Sequence, residues 1–319
     1  MKAMVQVRYG SPDGLMLREI DKPVVGDDDV LVRVLAASVN AADWHLMKRL
    51  PHFIGMLLRL PRTRVRGSDL AGCVEAVGGN VTRFRPGDEV FGAGIGSFAE
   101  YATSSERRLA PKPRNLTFEQ ASTFGVAALT ALQGLRDKAS LRPGQRVLIY
   151  GAGGGVGTFA VQIAKALGAH VTAVSSTRNV DLLHGIGADD VIDYTKEDFT
   201  KLGQRYDILF DIGADRSIAD CRRVLAPSAT HVVVGAADGL WPILSGLLEA
   251  QLRSRIGRQC VGSFLARVRH EDLVVLKELA EAGKLNPVID RTYPLSEAPD
   301  ALRYVGTRGA RGKVVIKVA

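Results

Sequence analysis

The sequence predicts an α/β protein: a doubly wound parallel sheet of the Rossmann kind, accompanied by a β-rich lobe. Three observations carry this. From Gln145 onward, continuously apolar strands alternate with amphipathic helices, the pattern of a parallel sheet covered on both faces. Between the first such strand and helix stands "YGAGGGVGTF", a glycine turn where a dinucleotide fold receives pyrophosphate. The first hundred residues read differently, as short strands bounded by Gly, Pro and Asp.

Taken in order, the lobe opens with strands in "MKAMVQVRYG", "LMLREI", "DVLVRVLAASV", "DLAGCVEAVGGNV" and "GDEVFGAG", each β-branched or alternating. From Thr117 the spacing turns helical, with Thr117 as N-cap and Gln120 three residues on, a capping-box pair. Then come strand "QRVLIYGA", helix "GTFAVQIAKALG", strand "HVTAVSS" and helix "NVDLLHGIG". Strands "DVIDY", "YDILFDIG" and "THVVVGAA" follow, with helix "SIADCRRVLA" before the last. Two helices, "EDLVVLKELAEAGK" and "LSEAPDALRYV", and a strand "GKVVIKVA" end the chain, which shows no internal repeat.

Composition narrows the class. At 319 residues, 46% hydrophobic and 24% charged, the chain has room for two domains and the balance of a soluble globular protein. The N-terminus lacks the apolar core of a signal peptide. Val147 to Ala164 carries no charge, but five glycines between Gly151 and Gly157 break the run, so it predicts no membrane span. The three cysteines, Cys73, Cys221 and Cys260, are scattered and form no CxxC pair. That argues against a disulfide framework and a four-cysteine zinc site, and fits a reduced, cytoplasmic setting. A net charge of +8 favours anionic ligands such as phosphates, while no basic tract interleaved with aromatics points to nucleic acid.

Gly151, Gly154 and Gly157 are spaced GxxGxxG. Pyrophosphate must approach backbone N–H groups at a helix N-terminus, and a side chain there blocks it. With Gly155 and Val156 these residues are the predicted phosphate cradle; the alternative is a tight turn with no ligand. The second strand then ends in "AVSSTRN", where an NAD enzyme places a carboxylate for the ribose hydroxyls. Ser175, Ser176 and Arg178 stand there instead, and a guanidinium clamps a 2′-phosphate. The expected cofactor is NADPH, unless Ser175 caps the next helix and Arg178 is merely solvated.

The order of the lobe, "VGGNVTRFRPGDEVFG", "LTALQGL", the glycine turn and the closing "GKVVIKV" together resemble the medium-chain dehydrogenase/reductase superfamily along the whole chain. The likeness is to its zinc-free quinone oxidoreductase branch, including the reticulon-4-interacting protein 1 group. It implies a GroES-like catalytic domain over residues 1–118, a Rossmann domain over 119–261, and a return to the catalytic domain over 262–319. Zinc members of the superfamily use a Cys, the His of a "GHE" motif and a later Cys. Here Asn40 and Ser68 stand at the first two positions and a small apolar residue near Val126 at the third, so no metal site is expected. His45 and His52 lack carboxylate or thiol partners at ligand spacing.

Oxidising an alcohol needs a Lewis acid for the alkoxide, whereas a quinone or α,β-unsaturated carbonyl accepts hydride without one. The expected activity is therefore NADPH-dependent, zinc-independent reduction of such acceptors by hydride transfer. The alternatives are an alcohol or aldehyde oxidoreductase, or a low-turnover NADPH-binding redox sensor. By resemblance Asn40, Asp43 and Trp44 orient the acceptor, Asn40 by donating a hydrogen bond and Trp44 by stacking, or else by ordinary packing. The same resemblance puts Thr130, Gly262, Ser263 and Phe264 near the nicotinamide, and Tyr194, Gly235 and Ala236 along the cofactor. It puts Lys313 near the phosphates. Tyr194 and Phe264 could equally be core residues, and no general acid is evident. Two basic, apolar stretches, Leu46 to Gly67 and Gly239 to Arg258, read as packed insertions, as the mouth for a bulky hydrophobic acceptor, or as a membrane-surface contact. A homodimer is implied by the family alone.

Overall fold

The computed structural model describes residues 1–8, 10–47, 65–213, 215–234, 260–307 and 309–318. Gly235, Ala236 and the stretch from Gly239 to Arg258 lie outside the described residues, as does Leu46 to Gly67 apart from its ends. The chain forms two units: Met1–Leu129 with Val268–Gly283 and Pro287–Ala319, and Thr130–Arg267 with Lys284–Asn286.

The first unit opens with the antiparallel ribbon β1 (Lys2–Gln6) and β2 (Leu15–Glu19). Its sheet is built on β3 (Asp29–Val39), whose Val30, Val32 and Val34 are wholly buried. β4 (Asp69–Val77), β5 (Glu89–Ala93) and β7 (Leu109–Pro111) follow in antiparallel order, with β6 (Tyr101–Ser105) on the early half of β3. Helix α1 (Ala41–Met47) starts where β3 ends. Helix α2 (Phe118–Ala121) carries the expected capping box between Thr117 and Gln120.

In the second unit, α3 (Leu129–Gln133) leads to β8 (Arg146–Tyr150), α4 (Gly155–Ala166), β9 (His170–Ser175), α5 (Val180–Gly185) and β10 (Asp190–Asp193). The chain continues with β11 (Tyr206–Asp211), α6 (Ile218–Arg223), β12 (Leu225–Val233) and β13 (Cys260–Ser263). Among the described residues these strands make one parallel sheet in the order β10-β9-β8-β11-β12-β13. Counted from β8 this is 3-2-1-4-5-6, the doubly wound Rossmann order. The apolar strands fit it: Val147, Leu148, Ile149, Val171 and Leu209 have no exposed surface.

The chain returns through α7 (His270–Glu281), held by Arg114 N–H on Glu281 and by Asn115 Nδ2 on the Ala280 carbonyl. β14 (Ile289–Pro294) and β15 (Lys313–Lys317) complete the first sheet, β15 lying antiparallel to β3, with α8 (Ala298–Gly306) between them.

The units part at residue 129, later than the expected 118. The reason is packing: the π-helical stretch Phe124–Ala128 sits on the first sheet, with Phe124 edge-on to Phe91 at 5.7 Å. The return falls at Val268, because Gln133 exchanges side-chain hydrogen bonds with the Arg267 backbone in the second unit. Lys284–Asn286 stays with that unit through two bonds between Gln162 and the Asn286 backbone. No helix among the described residues is long and apolar enough to cross a membrane.

Candidate functional site

The glycine turn follows directly from the strand before it. β8 ends at Tyr150 and Gly151 takes φ +85°, a left-handed conformation that glycine adopts without strain. Gly154 then caps α4, whose first-turn N–H groups have no intrahelical acceptor. A Cβ on Gly157 would stand 2.4 Å from the Gly151 carbonyl oxygen and 2.5 Å from that of Ala152. A Cβ on Gly153 would meet Asn179 Nδ2 at 2.3 Å and Ser175 Oγ at 2.7 Å. Helix and loop thus close on bare backbone, leaving N–H groups and a helix dipole for an anion.

The end of β9 divides its work differently from the expectation. Ser175 is buried and its Oγ accepts a hydrogen bond from Asn179 Nδ2 at 2.8 Å, bracing the turn against Gly153. Ser176 is half-buried, and Arg178 is exposed, with no ion pair or hydrogen bond among the described residues. Asp193, paired in register with Ser175, was not anticipated. Its carboxylate accepts from the hydroxyls of Thr177, at 2.5 Å, and Thr195, at 2.7 Å. The Thr177 hydroxyl chiefly holds its pKa down at about 2, so the acid braces the loop as an anion. Tyr194 is 46% exposed and therefore not core.

Other expected cofactor residues are less distinctive. Thr130 is half-buried in α3, which lies between π-helical stretches at 124–128 and 134–138. Gly262 and Ser263 lie on β13 in register with Val232 and Val233. Phe264 packs so near Gly134 that a Cβ there would come within 3.1 Å of its ring, and Lys138 lies 5.9 Å from the ring centre.

In the first unit, the register of β15 on β3 pairs Val314 with Val39 and so brings Lys313 to Asn40. Lys313 is 2% exposed. Its ammonium donates to Asn40 Oδ1 at 2.6 Å and to the Val39 carbonyl at 3.1 Å, with Asp69 Oδ2 at 3.5 Å. The expectation set Lys313 near the cofactor phosphates; here its ammonium is committed to these oxygens. Asp69 Oδ2 also accepts from Ser38 Oγ at 2.8 Å and Asn40 Nδ2 at 2.9 Å. Asp69 Oδ1 is buried without a hydrogen-bond partner among the described residues, facing Gly125, where a Cβ would stand 2.6 Å away. Because an ammonium only donates, it dictates which end of the Asn40 amide is oxygen. The second amide hydrogen of Asn40 has no partner among the described residues.

Asp43 is the third turn residue of α1, and its Oδ2 accepts the Asn40 backbone N–H at 2.8 Å. Burial raises its pKa from 3.8 to about 7, with Asp69 adding to the rise and the Asn40 N–H, Lys313 and Arg66 opposing it. The same burial raises Asp69 and lowers Lys313. A raised carboxyl holds in the native state a proton that the unfolded chain has already released. Its stabilising contribution is therefore whole below about pH 4 and lost as pH climbs through about 7. Asp43→Asn should flatten the decline of stability across that window, read from melting temperature against pH. Equal slopes for the two proteins would refute it.

Trp44 is half-buried with its indole packed on Gly306 of α8, where a Cβ would stand 2.7 Å from the ring. The packing alternative, not a ring freed for stacking, describes this face. The donors around Asn40 do not fit zinc. Among the described residues they offer an amide oxygen and carboxylates, with no thiolate or imidazole, and an ammonium already holds the oxygens a cation would take. Elsewhere, Asp211, Cys221 and His231 bring ligand-type atoms within 4.8 Å, a grouping the sequence spacing did not reveal. His231 Nε2 lies 3.1 Å from Asp211 Oδ2, and burial pushes the thiol up to about 12, leaving a His–Asp pair beside a neutral sulfur.

Comparison with known proteins agrees with this architecture. An alcohol dehydrogenase GroES-like domain model matches residues 26–114, and a zinc-binding dehydrogenase model matches 186–316. The chain is 35% identical to 2-methylene-furan-3-one reductase of Solanum lycopersicum, over 99% of this chain and 79% of that protein. It is 34% identical to the human mitochondrial NAD(P)H oxidoreductase RTN4IP1, over 100% and 89%. The solved quinone oxidoreductase from Coxiella burnetii superposes with TM-score 0.88 at 30% identity, covering 100% of this chain and 99% of that one.

Proposed function

Because the chain belongs to the medium-chain dehydrogenase/reductase superfamily, on its quinone oxidoreductase branch, we propose that it is an NADPH-dependent reductase of quinones or α,β-unsaturated carbonyls. One observation carries the choice of chemistry. Where zinc relatives would hold a metal, Asn40 and Asp69 are tied to the Lys313 ammonium, a donor set suited to hydrogen-bonding an acceptor and unsuited to binding zinc. The relatives named above act, by their names, on an enone, on NAD(P)H and on a quinone.

Bound NADPH supplies the hydride. The turn from Gly151 to Gly157 receives the pyrophosphate on backbone N–H groups, and only small residues permit that approach. Arg178, exposed and uncommitted, takes the 2′-phosphate; Ser176 assists, and Ser175 with Asn179 keeps the turn closed. Tyr194 offers a flat exposed face to the adenosine half. The free amide hydrogen of Asn40 donates to the acceptor carbonyl, where negative charge develops as hydride arrives. Preorganisation by Lys313 and Asp69 lowers the cost of that contact, since the amide need not reorient.

The finer reading is a hydrophobic acceptor, a homodimer, and a reduced cytoplasmic setting in which the free Cys73 and Cys221 persist. The test is NADPH oxidation by chelator-treated protein against a panel of quinones and enones, with NADH and primary alcohols as controls. Turnover with NADPH preferred is expected. Arg178→Ala should reduce the NADPH-over-NADH preference about tenfold, the worth of one charge-assisted phosphate contact of about 1.5 kcal/mol. Alcohol oxidation that survives only with zinc would reverse the reading. Tight NADPH binding with no acceptor reduced would favour a sensor.

A further inference from the structure

Hydride addition leaves an oxyanion on the acceptor, and the reaction closes only when a proton reaches it. Resting on the reductase reading above, we propose that Asp43 is that proton donor, working beside Asn40 as a pair set by the first turn of α1.

Among the described residues, the carboxyls of Asp43 and Asp69 and the ammonium of Lys313 are enclosed together, all at most 7% exposed. The ammonium is hydrogen-bonded to Asp69 and to the Asn40 amide, and not to Asp43. Asp69 is the better equipped to ionise, since its Oδ2 takes Ser38, Asn40 and Lys313 at once, and Arg108 adds a further favourable charge. Asp43 accepts only the Asn40 backbone N–H, on Oδ2. Its Oδ1 has no hydrogen-bond partner among the described residues. A buried carboxyl with one oxygen capped by a single N–H and the other without a hydrogen bond keeps its proton.

The surrounding groups agree. Facing Asp43 are Asp69 from β4, Lys313 from β15 and Arg66 from the segment before β4. On α8, which packs against α1, Arg303 is taken by Asp13 and Asp300. The resulting pKa of about 7 matches a group that gives up and regains a proton near neutrality. The capping bond ties the Asp43 carboxyl to the Asn40 backbone, so both residues are positioned by the start of α1.

The step balances. Hydride brings two electrons and one hydrogen to the β-carbon of an enone, and the C=C pair shifts to make an enolate oxygen. The Asp43 O–H bond breaks, an O–H bond forms on that oxygen, and the carboxylate regains a proton from water. For a quinone the same proton goes to the phenolate oxygen.

The first test needs no cofactor. In protein carrying 13C-carboxyl aspartate, the resonance missing from Asp43→Asn should titrate with a midpoint near 7; a midpoint below 5 overturns the proposal. The second uses the holoenzyme. Asn still accepts the capping bond through its amide oxygen but has no acidic proton, so kcat/KM should fall about a hundredfold. The wild-type loss of rate above pH 7 should vanish in the variant, with NADPH affinity unchanged. A variant that keeps both the rate and the pH limb overturns the proposal while leaving the reductase reading intact. A wild-type protein that turns over no acceptor overturns that reading and this one together.

Discussion

Gly157→Ala should lose NADPH binding by about a hundredfold, although it adds a single methyl group. The new Cβ would stand 2.4 and 2.5 Å from two carbonyl oxygens of the Gly151–Ala152 turn and 2.6 Å from a backbone carbon. These are backbone atoms, so no side chain can swing away to make room. Either α4 lifts from β8 or the turn flattens, and both move the N–H groups proposed to receive pyrophosphate. Displacement of a positioning group by an ångström costs on the order of a hundredfold. Overpacking at a rigid contact adds about 1–3 kcal/mol of destabilisation. Fluorescence titration with NADPH and a thermal melt measure the two effects. Affinity within twofold of wild type would show that the helix start takes no part in binding.

Lys313→Met should cost about 3–5 kcal/mol of stability, the usual loss when one partner of a buried ion pair is removed and the other charge stays inside. The stranded group is Asp69, with no exposed surface and one oxygen already unpaired. Asp69→Asn in the same chain removes that charge, so the double variant should recover most of the loss. Urea denaturation of wild type, single and double variants measures this. A single variant within 1 kcal/mol of wild type, or a double variant no better than the single, would show that the ammonium and carboxylate are not a coupled pair. Asn40 adds a functional readout: without the ammonium its amide can flip, and KM for the acceptor should rise in the double variant even where stability returns.

How much of this was legible in the chain follows from how far apart the interacting residues lie. The Rossmann unit announces itself locally. Strand apolarity, helix periodicity and the glycines between Gly151 and Gly157 act within a single βαβ segment, and the capping box of α2 spans four residues. The placement of Arg178 at the end of β9 was local too, and the structure leaves it exposed. The roles of Ser175 and Tyr194 were less certain, because burial depends on neighbours brought in by the fold. Asp193 became visible as a brace only when register set it beside Ser175.

The cluster in the first unit was hidden for the same reason. Lys313 meets Asn40 from 273 residues away and Asp69 from 244, through the antiparallel seat of β15 on β3. No periodicity or motif records such a pairing, and its family position pointed to a phosphate instead. The boundary between the units moved likewise, because the 124–128 stretch is helical in its own sequence yet packs on the first sheet. Local chemistry thus decided the folds of strands, turns and the glycine loop before α4. Tertiary packing decided which charged groups are buried together, and which amide hydrogen is left without a partner among the described residues.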